Sequence, residues 1–298
     1  MYLCSILNTA KMKLITSDAI LRKFTPNLLA TVSGEPSFFE KLTPFIEMAE
    51  EWLKDTFTSE QTFNTIAGYT DTNVIKIFAS KAVVSHAFMN AVPSLDLVLT
   101  PNGFGIVSNA NVAPASKERV ERLIASLETE RDRAIRLLLA SLYGASKWTQ
   151  SAQYAYFSAT MFPNLDLCEF CGLNEHLWQK YQELRPAIVE LERLIEERFI
   201  GKEQMDAFRQ QIIASSVASS ALAVQTVIRS IRAYIVQSVK ECLAHNGCRT
   251  CGPSTLYDVV DIIRKNPDLF PLWHSSSIKE LFNPPLFHNR KEDNGYWF

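Results

Sequence analysis

Apolar residues recur every three to four positions along most of the chain, which is the spacing of one buried helical face. Phe38, Leu42, Phe45 and Trp52 show this spacing in one segment. Pro44 lies inside that segment, where it should interrupt or kink the helix. The overall pattern predicts a mainly α protein, a helical bundle with long helices.

The longest predicted helix runs from about Lys202 to His245, with an apolar stripe from Val217 to Cys242. A continuous helix of that length would be a rod of about 60 Å, too long for a compact domain of this size, so it should either break or project. Gln210–Ile228 within it carries no charge and could just span a bilayer. Its three Gln, four Ser and one Thr instead favour close packing between helices. We therefore expect no membrane contact.

One stretch, LDLVLTPNGFGIVSN at residues 95–109, departs from helical spacing. Its TPNG motif, residues 100–103, has proline and glycine where a type I turn with a glycine bulge needs them. This turn chemistry predicts one β-hairpin over about residues 95–108. The same stretch contains GFGIVS, but it lacks the third glycine of a dinucleotide fingerprint and enters a strand, so we expect no bound cofactor.

The predicted pairing of Thr100 with Phe104 puts Val98 opposite Ile106 and leaves apolar residues on both faces of the hairpin. A two-stranded ribbon is marginal in water, so the second face needs a cover. Either a neighbouring subunit or the chain's own helices could supply it. Under the first alternative, Val98, Phe104 and Ile106 form a subunit interface.

Domain organisation is predicted from composition and turn signals. Residues 1–11 form a possible N-terminal extension, residues 12–283 a single helical domain with the hairpin inserted, and residues 284–298 an extended C-terminal tail. The tail carries Tyr296, Trp297 and Phe298 and cannot make a core of its own. It is therefore either disordered or an arm on a neighbouring subunit, in which case these three residues belong to the interface. We expect no internal repeat.

The balance of charge excludes several classes of protein. There are 30 Lys and Arg against 32 Asp and Glu, with a net charge of −2, and the two signs are interleaved as on solvated helix faces. No sequence-specific nucleic-acid contact is expected. The start of the chain lacks the features of a signal peptide, and six cysteines do not make a secreted disulfide scaffold. We expect a reducing compartment.

Catalytic and metal-binding motifs are weak. No metalloprotease or serine-hydrolase motif is present, so we predict no catalytic residues and no enzyme. His86 lies in an apolar helix and is expected to be buried and hydrogen-bonded. Two C-x-x-C pairs, Cys168 with Cys171 and Cys248 with Cys251, are too far apart along helices of unequal length to share one site.

A local zinc set, with ligands spaced by three positions, would comprise Cys242, His245, Cys248 and Cys251. The other interpretation is half-buried free thiols, which are common for cysteine. We predict no metal site at either cysteine cluster.

Three stretches together resemble a family of uncharacterised structural proteins from phages and prophages of Bacteroidetes-type bacteria. They are MKLITSDAILRKFTPNLLATVSGEPSFFEKLTPFIEMAEEWL (residues 12–53), AVPSLDLVLTPNGFGIVSNANVAPASKERVERLIASL (residues 91–127) and FPNLDLCEFCGLNEHLWQKYQELRPAIVELE (residues 162–192). The resemblance is a whole-chain pattern without a catalytic motif, so no functional residues are transferred from the family.

The resemblance implies a virion structural protein similar to a head-to-tail connector, or adaptor. Such a protein would form a homo-oligomeric ring below the portal protein and contact tail components, after assembly in the cytoplasm of the bacterial host. Its ring contacts would be the hairpin and the tail. The alternative is a cytosolic helical protein-interaction module with a structural zinc site near its C-terminal end.

Overall fold

The computed structural model describes residues 13–25, 37–95, 97–100, 103–106, 116–245 and 254–282, and the chain is mainly helical. The helices are α1 (Asp18–Phe24), α2 (Phe38–Leu53), α3 (Glu60–Ala67), α4 (Val74–Leu95), α5 (Lys117–Leu142), α6 (Ala152–Ser158), α7 (Asp166–Phe170), α8 (Leu177–Ile195), α9 (Lys202–Ile213), α10 (Leu222–His245), α11 (Ser254–Lys265), α12 (Pro271–His274) and α13 (Ile278–Phe282). The strands are β1 (Leu97–Thr100) and β2 (Gly103–Ile106).

The chain divides into two compact units, whereas the sequence analysis treats residues 12–283 as one domain. Unit 1 contains the described residues up to Phe157 together with Asn164–Tyr181. Unit 2 contains Ser158–Pro163 and the described residues from Gln182 onward. In unit 1, α4 packs against both α2 and α5, and in unit 2, α10 packs against α11.

Helix boundaries follow local side-chain chemistry. The Ser37 hydroxyl accepts a hydrogen bond from the Glu40 N–H at 3.1 Å, and the Glu40 carboxylate accepts one from the Ser37 N–H at 2.7 Å. This capping box begins α2. Helix α2 continues through Pro44 and α8 through Pro186, so neither proline ends its helix.

The predicted helix from Lys202 to His245 breaks. Helix α9 ends at Ile213 and α10 begins at Leu222, with a 3₁₀ turn at Val217–Ser219 between them. Serine hydroxyls in the gap bond to nearby carbonyls, Ser219 to Ser216 at 2.8 Å and Ser220 to Val217 at 2.6 Å. Such local bonds compete with the helical ladder, and the stripe alone does not reveal them.

Strands β1 and β2 pair antiparallel, with Leu97 opposite Ile106, Val98 opposite Gly105, Leu99 opposite Phe104 and Thr100 opposite Gly103. The predicted register is therefore wrong by one residue. Two residues separate the paired ends, where the predicted turn has three, and a one-residue slip exchanges the faces of a strand.

The two units share a helix, π-turn, helix segment, so the expectation of no internal repeat is wrong. In unit 1, α2 passes into a π-helical turn at Lys54–Thr58 and then into α3. In unit 2, α8 passes into a π-helical turn at Glu196–Ile200 and then into α9. A residue of positive φ follows each turn, Ser59 at 68° and Gly201 at 84°.

This segment has matching sequence and burial in the two copies. Both contain P-x-I-x3-E-x2-[LI]-x3-F, from Pro44 to Phe57 and from Pro186 to Phe199. The glutamate of the motif is buried in each copy and accepts a backbone N–H from an earlier segment. Glu50 accepts from Leu14 at 2.7 Å, and Glu192 accepts from Met161 at 2.8 Å.

A second shared motif, W-x-x-S-x5-F, follows later in each unit, from Trp148 to Phe157 and from Trp273 to Phe282. Both tryptophans are fully buried and donate their indole N–H to a carbonyl of the π-turn. Trp148 donates to Phe57 at 2.7 Å, and Trp273 donates to Phe199 at 2.8 Å. The chain therefore contains one structural pattern twice, and equivalent positions can be compared directly.

Candidate functional site

An open apolar groove in unit 2 is the best candidate for a functional site. It has a volume of about 440 Å³, within the range of about 300–1,000 Å³ that is typical of ligand pockets. Helices α8, α10, α11 and α13 and the π-turn line it. Its main apolar residues, which define the unit 2 groove below, are Leu194, Phe199, Tyr234, Tyr257, Leu281 and Phe282.

Three aromatic rings meet in this groove. The ring centroid of Tyr257 lies 5.5 Å from that of Phe199 and 6.1 Å from that of Phe282, both in edge-on geometry. The hydrogen bond from Trp273 to the Phe199 carbonyl holds the π-turn in place. Tyr257 is 52% exposed and Leu281 is 65% exposed, so the groove presents large apolar groups to solvent.

The equivalent groove in unit 1 is filled. Phe57 and Phe157, which correspond to Phe199 and Phe282, are fully buried, whereas the unit 2 residues are partly exposed. The covering residues are Trp178 and Tyr181, from the first turn of α8. The Trp178 ring lies 4.7 Å from Phe57 and 6.3 Å from Phe157, and the Tyr181 ring lies 5.9 Å from Phe157.

A hydrogen bond also holds the backbone of the covering segment at Trp178 in place. The Trp178 N–H donates to the buried carboxylate of Asp132 at 3.2 Å. Burial raises the pKa of Asp132, and the neighbouring Arg131 partly offsets that effect. Aromatic packing together with a hydrogen bond to the backbone is therefore how this fold closes such a groove.

Chemically, the unit 2 groove is suited to binding. Arg198 is the one charged residue among the described residues that line it. A mostly apolar wall with exposed aromatic rings covers an apolar group of a binding partner. Each Å² of apolar surface that is removed from water contributes about 25 cal/mol to the free energy of binding. The described lining holds no pair of nucleophile and base.

Buried charged clusters elsewhere have structural partners. Arg209 pairs with Glu192 and Asp206, each at 2.7 Å, and also with Glu196. Burial raises the pKa of Glu192, and Arg209 partly offsets that effect. In unit 1, Arg131 pairs with Asp132 at 2.7 Å and with Glu128 at 3.1 Å. These pairs connect neighbouring segments, and their carboxylates are occupied by guanidinium or backbone donors.

His86 differs in part from its prediction. It is half-buried and stacks on Trp52 with ring centroids 3.9 Å apart. Its Nδ1 is buried and has no hydrogen-bond partner among the described residues, so the predicted hydrogen bond is wrong at that atom. Burial and, to a smaller extent, Arg131 lower the pKa of His86 to about 4.

The cysteine clusters lie partly outside the described residues. Cys168 and Cys171 are not joined in a disulfide, and the Sγ of buried Cys168 lies 3.3 Å from the Leu177 carbonyl. Burial raises the pKa of Cys168 to about 12. Cys248 and Cys251 lie outside the described residues, as do the side chains of Cys242 and His245. Within the described part, no group of three or more His, Cys, Asp or Glu residues could hold a metal ion.

The predicted interface residues lie partly in the two strands and partly outside the described residues. Val98, Phe104 and Ile106 lie in the two short strands, and the predicted pair of Val98 with Ile106 is replaced by Val98 with Gly105. Tyr296, Trp297 and Phe298 lie outside the described residues. The spacing of apolar residues does not predict the unit 2 groove, although the two repeated motifs align Phe199 with Phe57 and Phe282 with Phe157.

Residues 26–158 match a family of unknown function, DUF6712. The match covers less than half of the chain and ends one residue after Phe157, the last residue of the first copy of the repeated motifs. No curated protein and no solved structure has significant similarity to the chain. Among the described helices, none is long and apolar enough to cross a membrane.

Proposed function

We propose that the chain is a virion structural protein, a head-to-tail connector that forms a ring below the portal of a phage particle. It would assemble in the cytoplasm of the bacterial host and contact neighbouring copies, the portal protein and tail components. The observation that carries the proposal is the unit 2 groove, a preformed apolar surface whose counterpart in unit 1 is covered. Such a surface serves binding to another protein segment.

Other features agree with a role in assembly. The charged clusters that are buried in the two units connect segments of the fold. The resemblance to phage structural proteins supplies the particle, which neither the groove nor the match to a family of unknown function specifies. In the proposed ring, strands β1 and β2, with Val98, Phe104 and Ile106, and the tail, with Tyr296, Trp297 and Phe298, supply contacts between subunits.

The proposal is tested in particles and with purified portal protein. We expect mass spectrometry to detect the chain in purified virions, and we expect the purified chain to bind the portal ring. Leu281→Asp should abolish ring formation on the portal, because it places a charge in the unit 2 groove. Leu222→Asp is the matched control, since Leu222 is 74% exposed and outside the groove.

Both variants should keep the far-ultraviolet circular dichroism and melting temperature of the wild type. Absence of the chain from purified virions, or failure of the wild type to bind portal protein, would contradict the proposed function.

A further inference from the structure

The filled groove of unit 1 shows which chemistry the open groove of unit 2 accepts. Its cover consists of an indole ring and a phenol ring, Trp178 and Tyr181, packed on Phe57 and Phe157. The unit 2 groove presents Phe199 and Phe282 at the equivalent positions, and Tyr257 extends the aromatic wall. A segment rich in aromatic residues is therefore its natural occupant.

We propose that the unit 2 groove binds the C-terminal segment of this chain, residues 283–298, through Tyr296, Trp297 and Phe298. Beyond Phe282, these three are the one run of consecutive aromatic residues. In unit 1, the covering Trp178 follows the groove residue Phe157 by 21 positions; Trp297 follows the equivalent Phe282 by 15. In both units, the phenylalanine of the groove is thus followed along the chain by a tryptophan.

Reach and charge agree with this occupant. The 14 residues between Phe282 and Trp297 span up to about 50 Å when extended, enough to return to their own groove or to reach that of a neighbouring copy. The acidic residues Glu292 and Asp293 lie nearer to the aromatic run than the basic residues Arg290 and Lys291, and Arg198 lines the groove. An opposite charge at the edge of an apolar contact favours one orientation of the segment.

In an assembled ring, the segment occupying each groove comes from the neighbouring copy; this part of the inference rests on the proposed function. The groove and segment would then form a heterologous contact, in which two different surfaces meet, and such contacts generate rings when the rotation closes.

A peptide-binding experiment tests the inference on the full chain. The acceptor is the full chain with Tyr296→Ala, Trp297→Ala and Phe298→Ala, which leaves the groove without its own occupant. The probe is a fluorescent peptide of residues 284–298, and its binding is followed by anisotropy. We expect saturable binding, and affinity for the wild-type chain weaker by about tenfold or more, because its own segment competes at high effective concentration.

Two controls place the binding in the groove. Adding Leu281→Asp to the acceptor should weaken binding by about tenfold or more, whereas adding Leu222→Asp should leave it unchanged. A peptide carrying Trp297→Ala should not bind. All acceptor variants should match the wild type in circular dichroism and melting temperature.

No binding to the folded acceptor, or binding that Leu281→Asp does not weaken, would overturn the inference. Neither result would contradict the proposed function, because the proposed function is tested by the presence of the chain in virions and by its binding to portal protein.

Discussion

At the scale of single residues, the buried polar groups of this chain stabilise its segments. Glu50 and Glu192 accept backbone N–H groups from segments far away in sequence, and Asp132 does the same for Trp178. The sequence alone does not predict that these three carboxylates are buried, because their hydrogen-bond partners lie 31 to 46 positions away. His86 was placed correctly in a helix, while its stacking on Trp52 depends on packing between α2 and α4.

His86 gives a prediction about pH. Its pKa of about 4 in the folded chain is below the ordinary value of 6.5, so the unfolded chain takes up a proton first as the pH falls. Stability attributable to His86 is therefore complete above pH 6.5 and is lost between pH 6.5 and 4. The loss should be about 1–3 kcal/mol, after allowance for solvent screening of this half-buried ring.

The matched variant is His86→Phe, which keeps an aromatic ring against Trp52 but does not titrate. Denaturation by urea at pH 7 and pH 4 should show a smaller loss of unfolding free energy in the variant than in the wild type. Equal losses in the two proteins would show that His86 does not take part.

At the scale of elements, helices were predicted well and their junctions were not. Spacing of apolar residues identifies α2, α4 and α5, since each buries one or more faces. The break between α9 and α10 involves serine hydroxyls that bond to carbonyls, and the register of β1 and β2 differs by one residue from the register that the turn motif predicts. The repeat was missed because its two motifs are separated by connections of different length in the two copies.

The junction after each π-turn gives a prediction about stability. Ser59 and Gly201 occupy equivalent positions with φ of 68° and 84° and ψ of 158° and 148°, a region that costs a residue with a side chain about 1–3 kcal/mol. Two effects oppose the gain from replacing Ser59 by glycine. Loss of the serine cap costs a few tenths of a kcal/mol of unfolding free energy, and the greater freedom of the unfolded chain costs about 0.4–1 kcal/mol.

Ser59→Gly should therefore stabilise unit 1 by about 1 kcal/mol, and Gly201→Ser should destabilise unit 2 by about 1–3 kcal/mol. Shifts of the thermal unfolding midpoint measure both changes. A clear destabilisation by Ser59→Gly would mean that its hydrogen bonds to Thr62 outweigh the backbone strain.

At the scale of the whole molecule, the two compact units share the same two motifs, and the difference that bears on function lies in their grooves. The groove of unit 1 is closed by Trp178 and Tyr181, and the groove of unit 2 is open among the described residues. Neither composition nor periodicity could show this difference, because each groove is built from segments that are remote in sequence. In the proposed assembly, the aromatic segment at residues 296–298 closes the open groove of the neighbouring copy.

The most direct test mixes two complementary variants of the full chain. One variant lacks the aromatic segment, through Tyr296→Ala, Trp297→Ala and Phe298→Ala, and the other lacks a working groove, through Leu281→Asp. Each alone should sediment as a monomer of 33.7 kDa, and an equimolar mixture should form a complex of twice that mass. A binding free energy of about −4 kcal/mol corresponds to a Kd of about 1 mM, so even a contact this weak gives a detectable complex at that concentration. A mixture that stays monomeric up to about 1 mM would contradict this proposal.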